Sequence, residues 1–323
     1  MRNGRYYTVE SITEEQRDRR LQKVDFSKLY FRKASIHGTC IKLFSDRHEV
    51  VDMWEENFYP MPARIRPHGR IFAIDQKGKR ERVLFEKTSK TVFIYNCRYY
   101  GKIKSIALAL CAQYLLDSPS VENRRYSIHG SFIDIAGRGV GIIGRPKAGK
   151  TTLTYGALAT IKDANFLTDD WFFVRFLGNG IRAYSAERNS YAGADIAKNW
   201  VSLRGKLKTA KKDNHGRAIV DVNRLFGSYK IRSSSDIYAI VILARDKKLP
   251  AWAELEPKKA LALLRKWDYC NPHQLVRSSK REKEQYEFFA RLLGKVPAYL
   301  LNTIESPKQS LSRLGKLLGK LQK

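Results

Sequence analysis

Residues 124–171 read RRYSIHGSFIDIAGRGVGIIGRPKAGKTTLTYGALATIKDANFLTDDW, and the expected fold turns on that run. Two apolar stretches, 126–135 and 140–143, flank Gly137-Arg138-Gly139 and read as strands joined by a tight turn. Gly144 then opens Gly144-Arg145-Pro146-Lys147-Ala148-Gly149-Lys150-Thr151, a full match to GxxxxGK[ST], and 151–159 reads as a helix. The order strand, loop, helix is the context this pattern needs. Small residues let successive backbone N–H groups turn inward around a phosphate chain. The start of the following helix adds its positive dipole end at the same place. Lys150 would reach the β- and γ-phosphates of ATP or GTP, the Thr151 hydroxyl would sit on Mg²⁺, and Thr152 is counted with the nucleotide contacts. A nucleotide-binding switch without catalysis would use the same loop.

Further on, Asn165-Phe166-Leu167-Thr168-Asp169-Asp170-Trp171 ends an apolar stretch in two carboxylates. Adjacent acids can divide a task, one holding Mg²⁺ and the other accepting the proton of an attacking hydroxyl. An acidic turn between strands would look the same in isolation; the spacing from Lys150 favours a site. His129 falls inside the first of the two strands, where a lone histidine is ordinarily structural.

Working outward, 166–167 and 172–176 read as strands on either side of the acids. The run IYAIVIL at 237–243 has the character of a buried strand. Residues 103–116, 282–293 and 307–321 read as helices. Towards the N-terminus a short helix is expected at 13–23 and strands at 35–44 and 83–95. The proline-rich 59–69 reads as a loop. The expected fold class is α/β with a mixed sheet: a P-loop domain over 101–323 preceded by a smaller mixed α/β domain over 1–100.

The run 124–171 resembles the catalytic core of the HPr kinase/phosphorylase family, which is similar in fold to phosphoenolpyruvate carboxykinase. The resemblance rests on Ser127-Ile128-His129-Gly130, the strand pair, Gly137-Arg138-Gly139-Val140, the P-loop, and Asp169-Asp170 closing the next strand, in that order and spacing. It implies that Lys150 neutralises phosphate, that Thr151 binds Mg²⁺, and that Asp169 and Asp170 are metal ligand and general base with His129 beside them. Glu187, in Ala186-Glu187-Arg188, would be a second acid of the metal site. The chain departs from the family in having Pro146-Lys147 where Ser-Gly is usual, and in lacking the family's downstream signature loop. The missing loop speaks against the reverse phosphorolysis, and residues 1–100, which resemble no known domain, speak against the HPr protein as substrate.

Composition bears on what receives the phosphate. There are 61 Lys and Arg against 32 Asp and Glu, a formal charge of +29 over 323 residues. Residues 1–100 hold 21 basic and 13 acidic side chains, so most of the excess lies in 101–323. A heat-adapted surface usually raises Glu together with Lys; here acids are scarce, which points to a polyanionic partner, RNA or DNA ahead of a membrane. Arg204, Lys206, Lys208, Lys211 and Lys212 form a dense basic run soon after the acids. Arg64, Arg66 and Arg70, with Tyr6, Tyr7, Trp54, Phe58 and Tyr59, could give the N-terminal domain a second contact surface. The leading expectation is transfer to a ribose hydroxyl of structured RNA such as tRNA. Two alternatives stand beside it: a protein or small-molecule serine kinase, and a nucleotide-responsive RNA-binding protein without turnover. Cys40, Cys97, Cys111 and Cys270 have no metal-site or disulfide spacing. No apolar run reaches the ~18 residues of a membrane span and no signal-peptide core is present, so a cytoplasmic protein is expected.

Overall fold

The computed structural model describes residues 8–178, 180–213, 215–270 and 274–322. The chain divides into two compact units, residues 1–125 with 272–278, and residues 126–271 with 279–323. The division falls beyond the boundary expected at 100. The reason is the helix that follows residue 100, whose apolar residues pack on strands of the N-terminal sheet.

In the first unit the elements are β1 (Val9–Ser11), α1 (Glu14–Leu21), β2 (Tyr30–Ile36), β3 (Thr39–Ser45), α2 (His48–Asn57), β4 (Tyr59–Pro60), β5 (Gly69–Ile74), β6 (Arg82–Glu86), β7 (Thr91–Tyr95) and α3 (Tyr100–Leu116). The strands form one mixed sheet in the order β1-β6-β7-β5-β3-β2-β4. The stretches expected as single strands at 35–44 and 83–95 are hairpins. The first turns at His37-Gly38 and the second at Lys90, all three with positive φ. A row of side chains crosses five strands in register: Leu84, Phe93, Phe72, Phe44 and Phe31. Phe44 and Phe72 stack at 4.7 Å, and Phe72 and Phe93 at 5.1 Å. Ile12, Leu21 and Val24 cover that face, and α2 and α3 pack on the sheet through β2, β3 and β5. Trp54 and Phe58, expected on a contact surface, are buried core residues, each 1 % exposed. Val50, Val51 and Trp54 make one apolar face of α2, and Phe58, just past its end, packs its ring against Trp54 at 4.8 Å. Tyr59, Arg64 and Arg66 are exposed, Arg70 is partly buried, and Tyr6 and Tyr7 lie outside the described residues.

The second unit contains β8 (Tyr126–Ile135), β9 (Arg138–Gly144), α4 (Lys150–Thr160), β10 (Ala164–Thr168), β11 (Trp171–Leu177), β12 (Gly180–Ser185), β13 (Asn189–Ala192), α5 (Ala194–Asn199), α6 (Arg204–Lys208), β14 (Ala218–Asp221), α7 (Val222–Phe226), β15 (Ser234–Ala244), β16 (Trp252–Leu255), α8 (Pro257–Lys266), α9 (Ser279–Leu293), β17 (Ala298–Asn302) and α10 (Pro307–Gln322). Eight of the strands form a mixed sheet. Its centre is parallel, with β15 between β9 and β17. β8 and β9 form the expected hairpin, turning at Ala136-Gly137. Along β15 the side chains alternate between two cores, as the twofold period of a strand dictates. Ala239, Val241 and Leu243 join Leu153 of α4 and Leu314 of α10; Ile240 and Ile242 join Leu264 of α8 and Phe289 of α9. Helices thus cover both faces, which explains why 237–243 is apolar without alternation.

Among the described residues, no helix is long and apolar enough to cross a membrane.

Candidate active site

The loop of the GxxxxGK[ST] pattern leaves the end of β9 at Gly144 and enters α4 at Lys150. Lys147 and Gly149 both have left-handed backbone, φ 65° and 100°, and Ala148 N donates to Arg145 O at 3.1 Å. For Lys147 that geometry costs an L-residue about 1–2 kcal/mol. No side chain caps the N-terminus of α4, and its first turn holds no acid. The first amides of this helix therefore lack a side-chain acceptor. Thr303, just past β17, anchors the loop from behind: its hydroxyl lies 2.8 Å from Ala148 O, and its N–H donates to Ala244 O at the end of β15. Arg145, Pro146 and Lys147 are exposed, Ala148 is buried, and Gly149, Lys150 and Thr151 are partly buried.

Lys150 folds back across the loop, donating to Gly144 O at 2.8 Å. Burial pushes its pKa below the ordinary lysine value, while Asp170, Cys270 and Asp169 pull it back up. Both carboxylates are therefore within electrostatic reach of the ammonium. Thr152 is buried and turned to a structural task. Its hydroxyl donates to Asp195 Oδ2 of α5 at 2.9 Å, and its carbonyl accepts from Trp200 Nε1 at 2.8 Å. Trp200 lies against Gly156, where a Cβ would come within 2.3 Å of the indole, so only glycine admits the ring. These contacts tie the segment of α5 and α6 to the side of α4.

The acids owe their position to β8. The first half of β8 pairs with β11 and the second half with β10, so β10 and β11 lie end to end along one partner strand. Asp169 and Asp170 occupy the break between them. Ser131 Oγ donates to Asp169 O at 3.0 Å and Gly130 N to Asp170 O at 2.9 Å, so β8 holds the break by its main-chain carbonyls. The two side chains then enter different surroundings. Asp169 is 8 % exposed and accepts from Ser190 Oγ at 2.6 Å; Ser190 in turn accepts from Tyr155 OH at 2.7 Å. Burial and the charge of Asp169 push the Tyr155 phenol well above its ordinary pKa. The Asp170 side chain is 32 % exposed, and its Oδ1 lies 3.1 Å from His129 Nε2. His129 sits opposite Trp171 in the β8–β11 register, its ring stacked on the indole.

A carboxylate such as that of Asp169 and a hydroxyl such as that of Thr151 are oxygen donors of the kind Mg²⁺ takes, and Mg²⁺ keeps positions for phosphate oxygens and water. Glu187 is buried in the segment between β12 and β13. Among the described residues no three His, Cys, Asp or Glu side chains converge into a metal set, so Glu187 does not complete one with the acid pair. The basic run is exposed at Arg204, Lys206, Lys208, Lys211 and Lys212. It lies on α6 and the stretch after it, with Leu203 and Leu207 buried beneath. Lys206 Nζ donates to Leu225 O at 2.9 Å.

Ser190, Tyr155, Ser131 and Thr303 escape sequence reasoning because each acts from another element of the fold. Cys270 escapes it as well. It is buried at the end of a turn, Asp268-Tyr269-Cys270, whose three residues all have left-handed φ, and it lies in the field of Lys150 and Arg145. Burial pushes its thiol up to about 11.

No protein-family model and no curated protein matches the chain. Among solved structures the chain is similar to the Hpr(Ser) kinase/phosphatase from Coxiella burnetii, at 18 % identity over 61 % of this chain and 99 % of that one, with a TM-score of 0.35.

Proposed function

We propose that the second unit is a nucleotide-dependent phosphotransferase with a hydroxyl acceptor. The observation that carries this reading is that Gly130 of β8 pairs on one side with Ile143, next to the start of the 144–151 loop, and on the other donates to Asp170 O at 2.9 Å, which brings the loop of Lys150 and the acid pair to one level of the sheet. A cation for transferring phosphate and a carboxylate for the acceptor proton are the two groups the reaction needs. The 144–151 loop and the uncapped amides of α4 would cradle the β- and γ-phosphates of ATP or GTP. Mg²⁺ supplies charge neutralisation on those phosphates, and Asp169, steadied by Ser190, and Thr151 would hold it. Asp170 is the more open acid and is oriented by His129, which suits it to accept the proton. The acceptor oxygen bonds to the γ-phosphorus, the bond from that phosphorus to the β,γ-bridging oxygen breaks, and the acceptor proton passes to Asp170. The products are the nucleoside diphosphate and a phosphate monoester.

For the acceptor we favour a ribose hydroxyl of structured RNA such as tRNA. The support is a charge of +29 and an exposed basic run tied to the side of α4. The test is transfer of labelled γ-phosphate to total RNA, to casein and to free serine, with Asp170→Asn as control. Label in RNA that vanishes with Asp170→Asn is the expected result. Label in casein or serine alone would replace the acceptor, and turnover with none of the three would leave nucleotide binding without transfer as the better reading.

A further inference from the structure

The N-terminal unit contains a cavity of about 250 Å³ that plays no part in the site above. It forms one row beyond the aromatic row of the sheet. There Arg82 of β6, Tyr95 of β7 and Ile74 of β5 stand in register. Arg19, Arg20 and Lys23, on α1 and just past it, form one wall, and Lys79 and Arg80, between β5 and β6, form another. Six cations line it, and no aspartate or glutamate does. Two of the six are already neutralised. Arg82 makes a two-pronged pair with Glu10, and Arg19 pairs with Glu15 at 2.5 Å. Arg20 spends one N–H on Gln16 O at 2.7 Å. Lys23, Lys79 and Arg80 have no acidic partner among the described residues. The Lys79 and Arg80 wall is also held in place, because Asn96 Nδ2 donates to Gln76 O and to Lys79 O while its Oδ1 accepts from Gln76 N.

Cations brought together without counter-ions repel one another, and a concave site of one sign gathers anions. One carboxylate would leave most of this charge unanswered. A phosphate monoester brings about −1.5 to −2 and three acceptor oxygens, which matches guanidinium forks and ammonium donors together. The remaining wall is apolar, built from Val24, Ile74 and Leu84 beside the Tyr95 ring, and offers a surface to whatever carries the phosphate.

We propose that this cavity binds a phosphate monoester borne by a nucleoside, either free or at the end of an RNA strand. The phosphate part stands on the cavity alone; the nucleoside part rests on the acceptor reading above. The test is calorimetric titration of the full-length Lys150→Ala protein, which weakens phosphate binding at the 144–151 loop. The probes are pyrophosphate, adenosine 5′-monophosphate, and one RNA hexamer with a 5′-phosphate or a 5′-hydroxyl. We expect pyrophosphate to bind, and Lys23→Glu with Arg80→Glu to weaken it at least tenfold with an unchanged thermal melt. The gentler Lys79→Ser should weaken it less, which keeps the test open if charge reversal impairs folding. We also expect the 5′-phosphorylated hexamer to bind at least tenfold tighter than its 5′-hydroxyl form. Equal affinity of the monophosphate and the phosphorylated hexamer assigns the site to free nucleotide, and a tighter hexamer assigns it to an RNA end. Pyrophosphate binding that ignores the cavity variants overturns the proposal. Pyrophosphate binding with no preference for either nucleoside phosphate overturns only the nucleoside part and leaves the phosphotransferase reading untouched.

Discussion

Ser190→Ala tests whether the relay behind Asp169 is as tightly held as its geometry says. Ser190 and Tyr155 are both fully buried, and their hydroxyls form a chain that ends on the Asp169 carboxylate at 2.6 Å. Removing the serine hydroxyl costs its bond to a charged acceptor, about 1.5–3 kcal/mol. It also leaves the Tyr155 hydroxyl buried without its acceptor, about 1–3 kcal/mol more. The total is ~4 kcal/mol, large for one oxygen atom. Tyr155→Phe removes only the outer donor and should cost ~1 kcal/mol. The double variant has no stranded hydroxyl, so it should cost ~3 kcal/mol, short of the summed singles by ~2. Urea unfolding of the four proteins, followed by tryptophan fluorescence, measures this coupling. Additive costs, or a Ser190→Ala loss below ~1 kcal/mol, would show that the relay is not a unit.

Lys150→Met should lower single-turnover transfer by at least about 10²-fold, because a cation is removed where transition-state charge develops; near-native transfer in a folded variant would sink the loop assignment. The depressed pKa of Lys150 also fixes a pH dependence. In the wild type, kcat/KM for the nucleotide, which reports the free enzyme, should fall on an alkaline limb lying below the ordinary lysine value of 10.5. Stability moves the opposite way: between the two pKa values the unfolded chain holds the extra proton, so unfolding free energy rises with pH there, and Lys150→Met should flatten that rise. Asp169→Asn should recover part of its lost transfer at raised Mg²⁺ or Mn²⁺ while Asp170→Asn should not, and equal rescue of both would undo the division of roles. In a salt series of tRNA binding, alanine at Lys208, Lys211 and Lys212 should each lower the log–log slope by about one unit. Lys206→Ala should lower it less and cost stability instead, since that ammonium already serves Leu225 O. Gly156→Ala should destabilise by about 1–3 kcal/mol through collision with Trp200, as a thermal melt would register.

The parts legible in the sequence are those whose signal is local. The run from β8 to α4 could be read because a strand, a glycine-bearing turn and a helix start follow one another without interruption. β15 could be read from its apolar run. The hairpin at 83–95 was hidden because Lys90 adopts left-handed backbone without the glycine that usually announces it, while at 35–44 the turn glycine, Gly38, is a single residue inside an otherwise strand-like run. Trp54 and Phe58 looked like surface aromatics only while the helical spacing of Trp54 with Val50 and Val51 was left out of account. At the site, Lys150, Asp169 and Asp170 announce themselves by spacing, and His129 only through the family resemblance. What sets their environments does not: Ser190 arrives on a separate small sheet and Thr303 from beyond β17. The division of Asp169 from Asp170, one held in the interior and one half-open, depends on those distant partners and could not be read from two adjacent letters.

Because β8 grips the break between β10 and β11 through carbonyl oxygens, the backbone at 169 and 170 is placed without help from the half-open Asp170 side chain, while the interior position 169 also needs an acceptor for Ser190 Oγ. The location is therefore inherited from the scaffold, while the chemistry is written in the two side chains delivered there. A scaffold of that kind can lose a reaction or acquire another by point substitution, with its architecture passing through the change intact.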